Sequence, residues 1–212
     1  HARGQTQQIV SLVTRASVVV SAITTLLALG IVTLGPPFIG VWIDPRYEAE
    51  AARLIPWMVV NTFVAGLSPF SGRLLMAMDA HGPIAKRAPI AGVLNLVVTV
   101  SLVPFMGLMG VVIGTAISEL WLNVFAMRLM TRKIGRSLTG YLRSVIGPQV
   151  APAGCAIFTY WAVLHLIQPT SYGNIAGIAA AMICVYAPVF VAFGISREER
   201  KRLFGLLRLG RT

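Results

Sequence analysis

Between Ala88 and Ser118 the chain reads APIAGVLNLVVTVSLVPFMGLMGVVIGTAIS, 31 residues without one charge; Glu119 interrupts the run and eight more uncharged residues carry it to Met127. A single helix rising about 1.5 Å per residue over this length would be roughly 60 Å long, about twice the hydrocarbon thickness of a bilayer. The segment therefore has to turn back once. Pro104, Gly107 and Gly110 in VPFMGLMG are the residues that break helices and suit a tight turn. The expectation is a helical hairpin, with arms at 88–103 and 109–127.

A soluble fold would need more polar surface than this composition supplies. Charged residues make up 12% of the chain and hydrophobic ones 56%, against roughly 25% charged in an ordinary soluble domain. Counting uncharged stretches long enough to cross a bilayer gives six spans, at about 16–43, 54–78, 88–103, 109–127, 144–167 and 172–195. A short amphipathic lead-in, 1–15, precedes them, and a basic tail, 196–212, follows. Gly35-Pro36-Pro37 is expected to kink or end the first span near its far side. The fold class is all-α, a polytopic bundle of six transmembrane helices.

Charge placement tests the count independently. Of the 18 lysines and arginines, 16 fall in segments 1–15, 73–87, 128–143 and 196–212. Only Arg46 and Arg53 stand on the other side, in DPRYEAEAAR beside Asp44, Glu48 and Glu50. Basic residues concentrate in cytoplasmic loops, so both termini are expected in the cytoplasm, which an even number of spans satisfies. The net charge of +11 then follows from topology and attraction to anionic membrane lipids. No nucleic-acid partner is needed to explain it.

Other chemistries find no support. Cys155 and Cys184 fall inside spans and read as packing residues. His1, His81 and His165 stand apart from one another, without a zinc-type pair, and the glycines of GLMGVVIG follow no strand, so they form no nucleotide fingerprint. The expectation is a non-enzyme with no metal and no cofactor, the identity of any coupling ion being open. The first residue is His1 and no signal-peptide pattern precedes the first span, which reads as a fragment of a longer protein.

Gly110, Gly114 and Ser118 recur every four residues on one helix face. Small residues at that spacing let helix backbones approach closely in lipid. Ala91, Gly92, Asn95 and Thr99 make a similar small and polar face on the other arm of the hairpin, as do Asn61, Ala65, Ser68 and Gly72 on the second span. Helix packing is the first reading of all three faces, and a substrate path the second.

Two stretches then bear comparison with a known family. FIGVWIDPRYEAEAARLIPWMVVNTF, followed by SPFSGRLLMAMDAHGPIAKRAPIAGVLNLVVTVSLVPFMGLMGVVIGTAISELW, resembles the carboxy-terminal half of polysaccharide and oligosaccharide flippases. These belong to the multidrug/oligosaccharidyl-lipid/polysaccharide exporter superfamily. The resemblance rests on the loop from Gly40 to Ala52, the LLMAMDAHGP step and the glycine-rich hairpin. It covers about 38–135. It implies two lobes of about six helices enclosing a cavity that opens alternately to either side, in a bacterial inner membrane. The implied cargo is a glycan on a polyprenyl diphosphate, destined for surface polysaccharide such as lipopolysaccharide. The implied partner is a missing amino-terminal lobe or a second copy. An ion-coupled multidrug antiporter of the same superfamily and a non-transporting scaffold are the alternatives.

Glu119 lies near mid-span, where an ionised acid costs at least roughly 2.5–3.5 kcal/mol and so needs a partner or water. Thr115, Glu119 and Asn123 form a stripe at helical spacing. Glu119 is either a cavity group responsive to protons, cations or sugar, or a protonated packing residue hydrogen-bonded to a neighbouring helix. Asn61, Asn95 and Asn123 are the other cavity candidates. Arg73, with five apolar residues after it, either forks onto a lipid-linked diphosphate or snorkels to the headgroups.

Overall fold

The computed structural model describes residues 2–195, with side-chain environments from residue 10 onward; the basic tail expected at 196–212 lies outside the described residues. Those residues form helices, turns and no strand. The first helix, α1, runs from Ala2 to Trp42 and absorbs the lead-in expected at 1–15. It also continues through Pro36 and Pro37, both buried, so the helix does not end there, one of the two outcomes expected of these prolines. The missing N–H of Pro37 frees the carbonyl of Thr33, and the Tyr160 hydroxyl donates to that carbonyl at 3.2 Å. A neighbouring helix thus satisfies the group that the proline orphans, as a helix in lipid requires.

A 3₁₀ turn, Pro45–Tyr47, leads into α2, Glu48–Gly66, and α3, Ser71–Ala77. The span expected at about 54–78 is therefore built from two helices within one apolar stretch, Pro45–Ala77. Pro69 disfavours helical backbone at Ser68 and brings no N–H of its own. Side chains take up the freed carbonyls: Tyr141 donates to Leu67 O at 3.0 Å and Ser71 Oγ to Ser68 O at 3.0 Å. Tyr141 is fully buried, so its hydroxyl is the partner that water would otherwise provide. Tyr141→Phe is expected to leave that carbonyl unpaired and lower stability by about 1–3 kcal/mol. Thermal unfolding in detergent reads this, and an unchanged midpoint would mean the break needs no such support.

The hairpin consists of α4, Gly82–Met106, and α5, Leu108–Lys133. Pro104 lies within α4, and the turn expected over Val103–Gly110 narrows to Gly107. Its φ of 56° and ψ of −132° suit glycine because a side chain would be strained there. The chain ends its described part with α6, Leu138–Leu164, α7, Tyr172–Val189, and a π-helical segment, Phe190–Gly194.

Among the described residues five stretches are long and apolar enough to cross a membrane: Val10–Trp42, Pro45–Ala77, Gly82–Met106, Leu108–Lys133 and Tyr172–Gly194. The sixth long helix, α6, is 27 residues; Pro148, Gln149, Pro152 and its aromatic residues dilute its hydropathy. Large apolar side chains face outward, among them Val93, Leu96, Val97 and Val100 on α4 and Phe158 and Trp161 on α6. Such a surface is a liability in water and an ordinary one in lipid.

Packing runs from α4 to α5, from α5 to α2, from α2 to α1, and then to α6 and α7. One apolar core joins α1, α6 and α7 around Ala22, Leu34, Ile178 and Met182. A second joins Leu67, Leu75, Met130, Tyr141 and Val145 at the α2–α3 break. A buried polar link crosses the first core. Gln149 Nε2 donates to Val18 O at 3.2 Å and to Ser21 Oγ, while Gln149 Oε1 accepts from the Tyr186 hydroxyl at 2.9 Å. Three helices are thus fixed in register by fully paired polar groups.

Candidate functional site

The small-residue face of α5 meets α4. Gly110, Gly114 and Ser118 are all buried. A Cβ added to Gly110 would stand 2.7 Å from the backbone of Leu102 and Val103, and one added to Gly114 would collide with the Thr99 side chain and stand 3.0 Å from its backbone nitrogen. The two backbones are as close as glycine permits. Turned by this contact, the next face of α5 presents Thr115, Glu119 and Asn123 toward α2.

Three of the predicted cavity residues come together there. Asn61 of α2 donates through Nδ2 to Glu119 Oε2, and Asn123 Nδ2 donates to Asn61 Oδ1 at 2.9 Å. Asn61 is therefore both donor and acceptor, which sets its amide orientation and ends the chain of bonds on the carboxylate. Asn95, the fourth candidate, joins a second set on α4. Its Nδ2 donates to Thr115 Oγ1 at 3.5 Å and its Oδ1 accepts from Thr99 Oγ1 at 3.0 Å. Thr115 and Glu119, one helical turn apart, connect the two sets into a polar stripe over three helices.

The stripe opens on a groove of about 290 Å³ between α2 and α5, whose wall includes Trp57, Met58, Asn61, Thr62, Thr115 and Glu119. Glu119 is exposed and has no ion-pair partner among the described residues. Its second carboxylate oxygen is open to whatever fills the groove. The arrangement offers carboxamide and hydroxyl groups that both donate and accept, one acceptor-only carboxylate and an indole. Arg73 is not brought to this groove; it is exposed on α3. Among the described residues no group of three or more His, Cys, Asp or Glu side chains is placed to hold a metal.

Trp57, Met58 and Thr62 are wall residues that the sequence reading passed over. Their signal was periodicity: Met58, Asn61 and Thr62 share a helix face at i, i+3 and i+4. No family model, curated protein or solved structure matches this chain.

Proposed function

We propose that the chain is one lobe of a bacterial inner-membrane exporter that moves polyprenyl-diphosphate-linked oligosaccharide by alternating access. In this reading six helices cross the membrane, α2 and α3 together making one crossing, and both termini are cytoplasmic. The observation that carries it is the groove at the middle of the α2–α5 pair, where Asn61, Thr62, Thr115 and Glu119 stand in an otherwise apolar wall. Hydrogen-bonding side chains at such depth face a partner or water-filled path. A glycan supplies hydroxyls that pair with carboxamides and with a carboxylate, and a ring face that covers an indole. The break between α2 and α3 supports the same reading, because interrupted helices recur where transporters bind cargo and rearrange. Arg73, outside the groove, takes the headgroup role. The remaining wall of the path would come from a second lobe or a second copy.

One observation favours a second reading. Glu119 is the groove's only charged side chain and lies beside Trp57, a pairing that suits a lipophilic cation. One experiment separates the two. Inverted membrane vesicles with and without the protein are given lipid-linked oligosaccharide on their outward-facing cytoplasmic leaflet, and its movement to the luminal leaflet is followed as loss of access to an external lectin; ethidium uptake is measured in parallel. Protein-dependent oligosaccharide movement without ethidium transport is expected. Ethidium transport alone would replace the flippase reading with the antiporter.

A further inference from the structure

The basic end of the α4–α5 hairpin holds a contact that topology does not explain. On α5, Phe125, Arg128 and Arg132 share a face at i, i+3 and i+7. Antiparallel α4 lays Arg87 over that face, with its guanidinium carbon 3.9 Å from the Phe125 ring centroid. Arg87 is half-buried, and its Nη1 donates to Pro83 O at 3.2 Å. Lys86, Arg128, Arg132 and Lys133 are exposed around it. No acid other than mid-helix Glu119 occurs between 80 and 143, and Asp79 sits in the turn before α4. None of these cations has an ion-pair partner among the described residues.

A charge that only sets orientation needs to be positive and near the membrane. It does not need to be half-buried, stacked on a ring and tied to a carbonyl. We infer that Arg87, with Lys86 and Arg128, forms a phosphate-binding site for the headgroup of an anionic lipid. The contact with Phe125 holds the guanidinium in place, and the N–H groups not given to Pro83 O are those available to a headgroup. Those groups fork onto two phosphate oxygens, a geometry an ammonium cannot reproduce. Basic pockets between membrane helices take anionic headgroups in this way. The inference rests on the hairpin crossing the membrane and is independent of the cargo. Phosphate at this depth has two sources, membrane phospholipid and a diphosphate-linked lipid.

The test uses the purified full chain in detergent and native mass spectrometry, with phosphatidylglycerol, phosphatidylcholine and farnesyl diphosphate as probes. Phosphatidylglycerol is expected to be retained over phosphatidylcholine. Arg87→Lys keeps the charge, and therefore the topology, yet is expected to weaken that retention about tenfold, the equivalent of 1.4 kcal/mol. Phe125→Leu, which removes the stack and no charge, is expected to act in the same direction. Displacement of phosphatidylglycerol by farnesyl diphosphate assigns the site to diphosphate lipids, and failure to displace assigns it to phospholipid; both support the site. Equal retention of the two phospholipids, or wild-type retention in both variants, overturns it.

Discussion

Gly114→Leu is expected to cost the protein most of its folded yield. Overpacking of a well-filled interior usually costs about 1–3 kcal/mol, because neighbouring side chains shift to make room. Here the obstruction includes backbone: the added Cβ meets the side chain, nitrogen and Cα of Thr99, and α4 can escape only by moving away from α5. That movement also pulls Thr99 from Asn95 and Asn95 from Thr115, opening a half-buried polar set as well as an apolar seam. Gly92→Leu is the matched control. It lies on α4 with nothing within 4 Å of an added Cβ, so the same change in size and hydrophobicity should leave yield near wild type. Gel filtration and thermal unfolding in detergent read both variants. Equal behaviour of the two would show that the α4–α5 contact is loose and that Gly114 is not there for close approach.

The hairpin was legible because its signals are local. An uncharged run of known length requires one reversal of the chain, glycine marks the turn, and a four-residue repeat of small side chains marks the face. What escaped the sequence was supplied by distant residues. Pro36 and Pro37 read as a kink in the first helix or an end to it, and nothing nearby in sequence shows that Tyr160 stands ready to satisfy the Thr33 carbonyl and let the helix continue. Segment 54–78 read as one span and lies within one apolar stretch, Pro45–Ala77; the helix break inside it went unread because hydropathy is continuous there, while Pro69 breaks the geometry and Tyr141 supports the break in a buried setting. The same division holds at the candidate site. Thr115, Glu119 and Asn123 could be placed on one stripe by counting, and Asn61 and Asn95 could be singled out as polar residues in apolar helices. Which of them meet depended on helix rotation and crossing, and those are set by the glycine contact and by α2. Arg73 carried the same kind of signal as Asn61, a polar group in an apolar stretch, and lies elsewhere, on α3 beyond the break at Leu67–Phe70.

Glu119→Gln, made in the full-length protein in its native membrane, is expected to reduce oligosaccharide export while leaving membrane abundance near normal. Glutamine retains the size of glutamate and an oxygen that accepts from Asn61 Nδ2, so the α2–α5 hydrogen bond survives. It loses the charge and the second acceptor oxygen that faces the groove. Hydrogen bonds to a charged group contribute about 1.5–3 kcal/mol, which corresponds to a loss of roughly 10- to 150-fold if that interaction is made on the transport path. Glu119→Leu separates function from packing. It leaves the Asn61 amide with no acceptor, at a cost of about 1–3 kcal/mol, and should lower abundance as well as export. A protein in which Glu119 serves packing alone would respond differently: full export in the Gln variant and lost abundance only in the Leu variant. That pattern would remove Glu119 from the site and leave the groove without its charge. Export lost in Gln at normal abundance, measured per molecule in the membrane, would put the carboxylate in contact with what the groove carries.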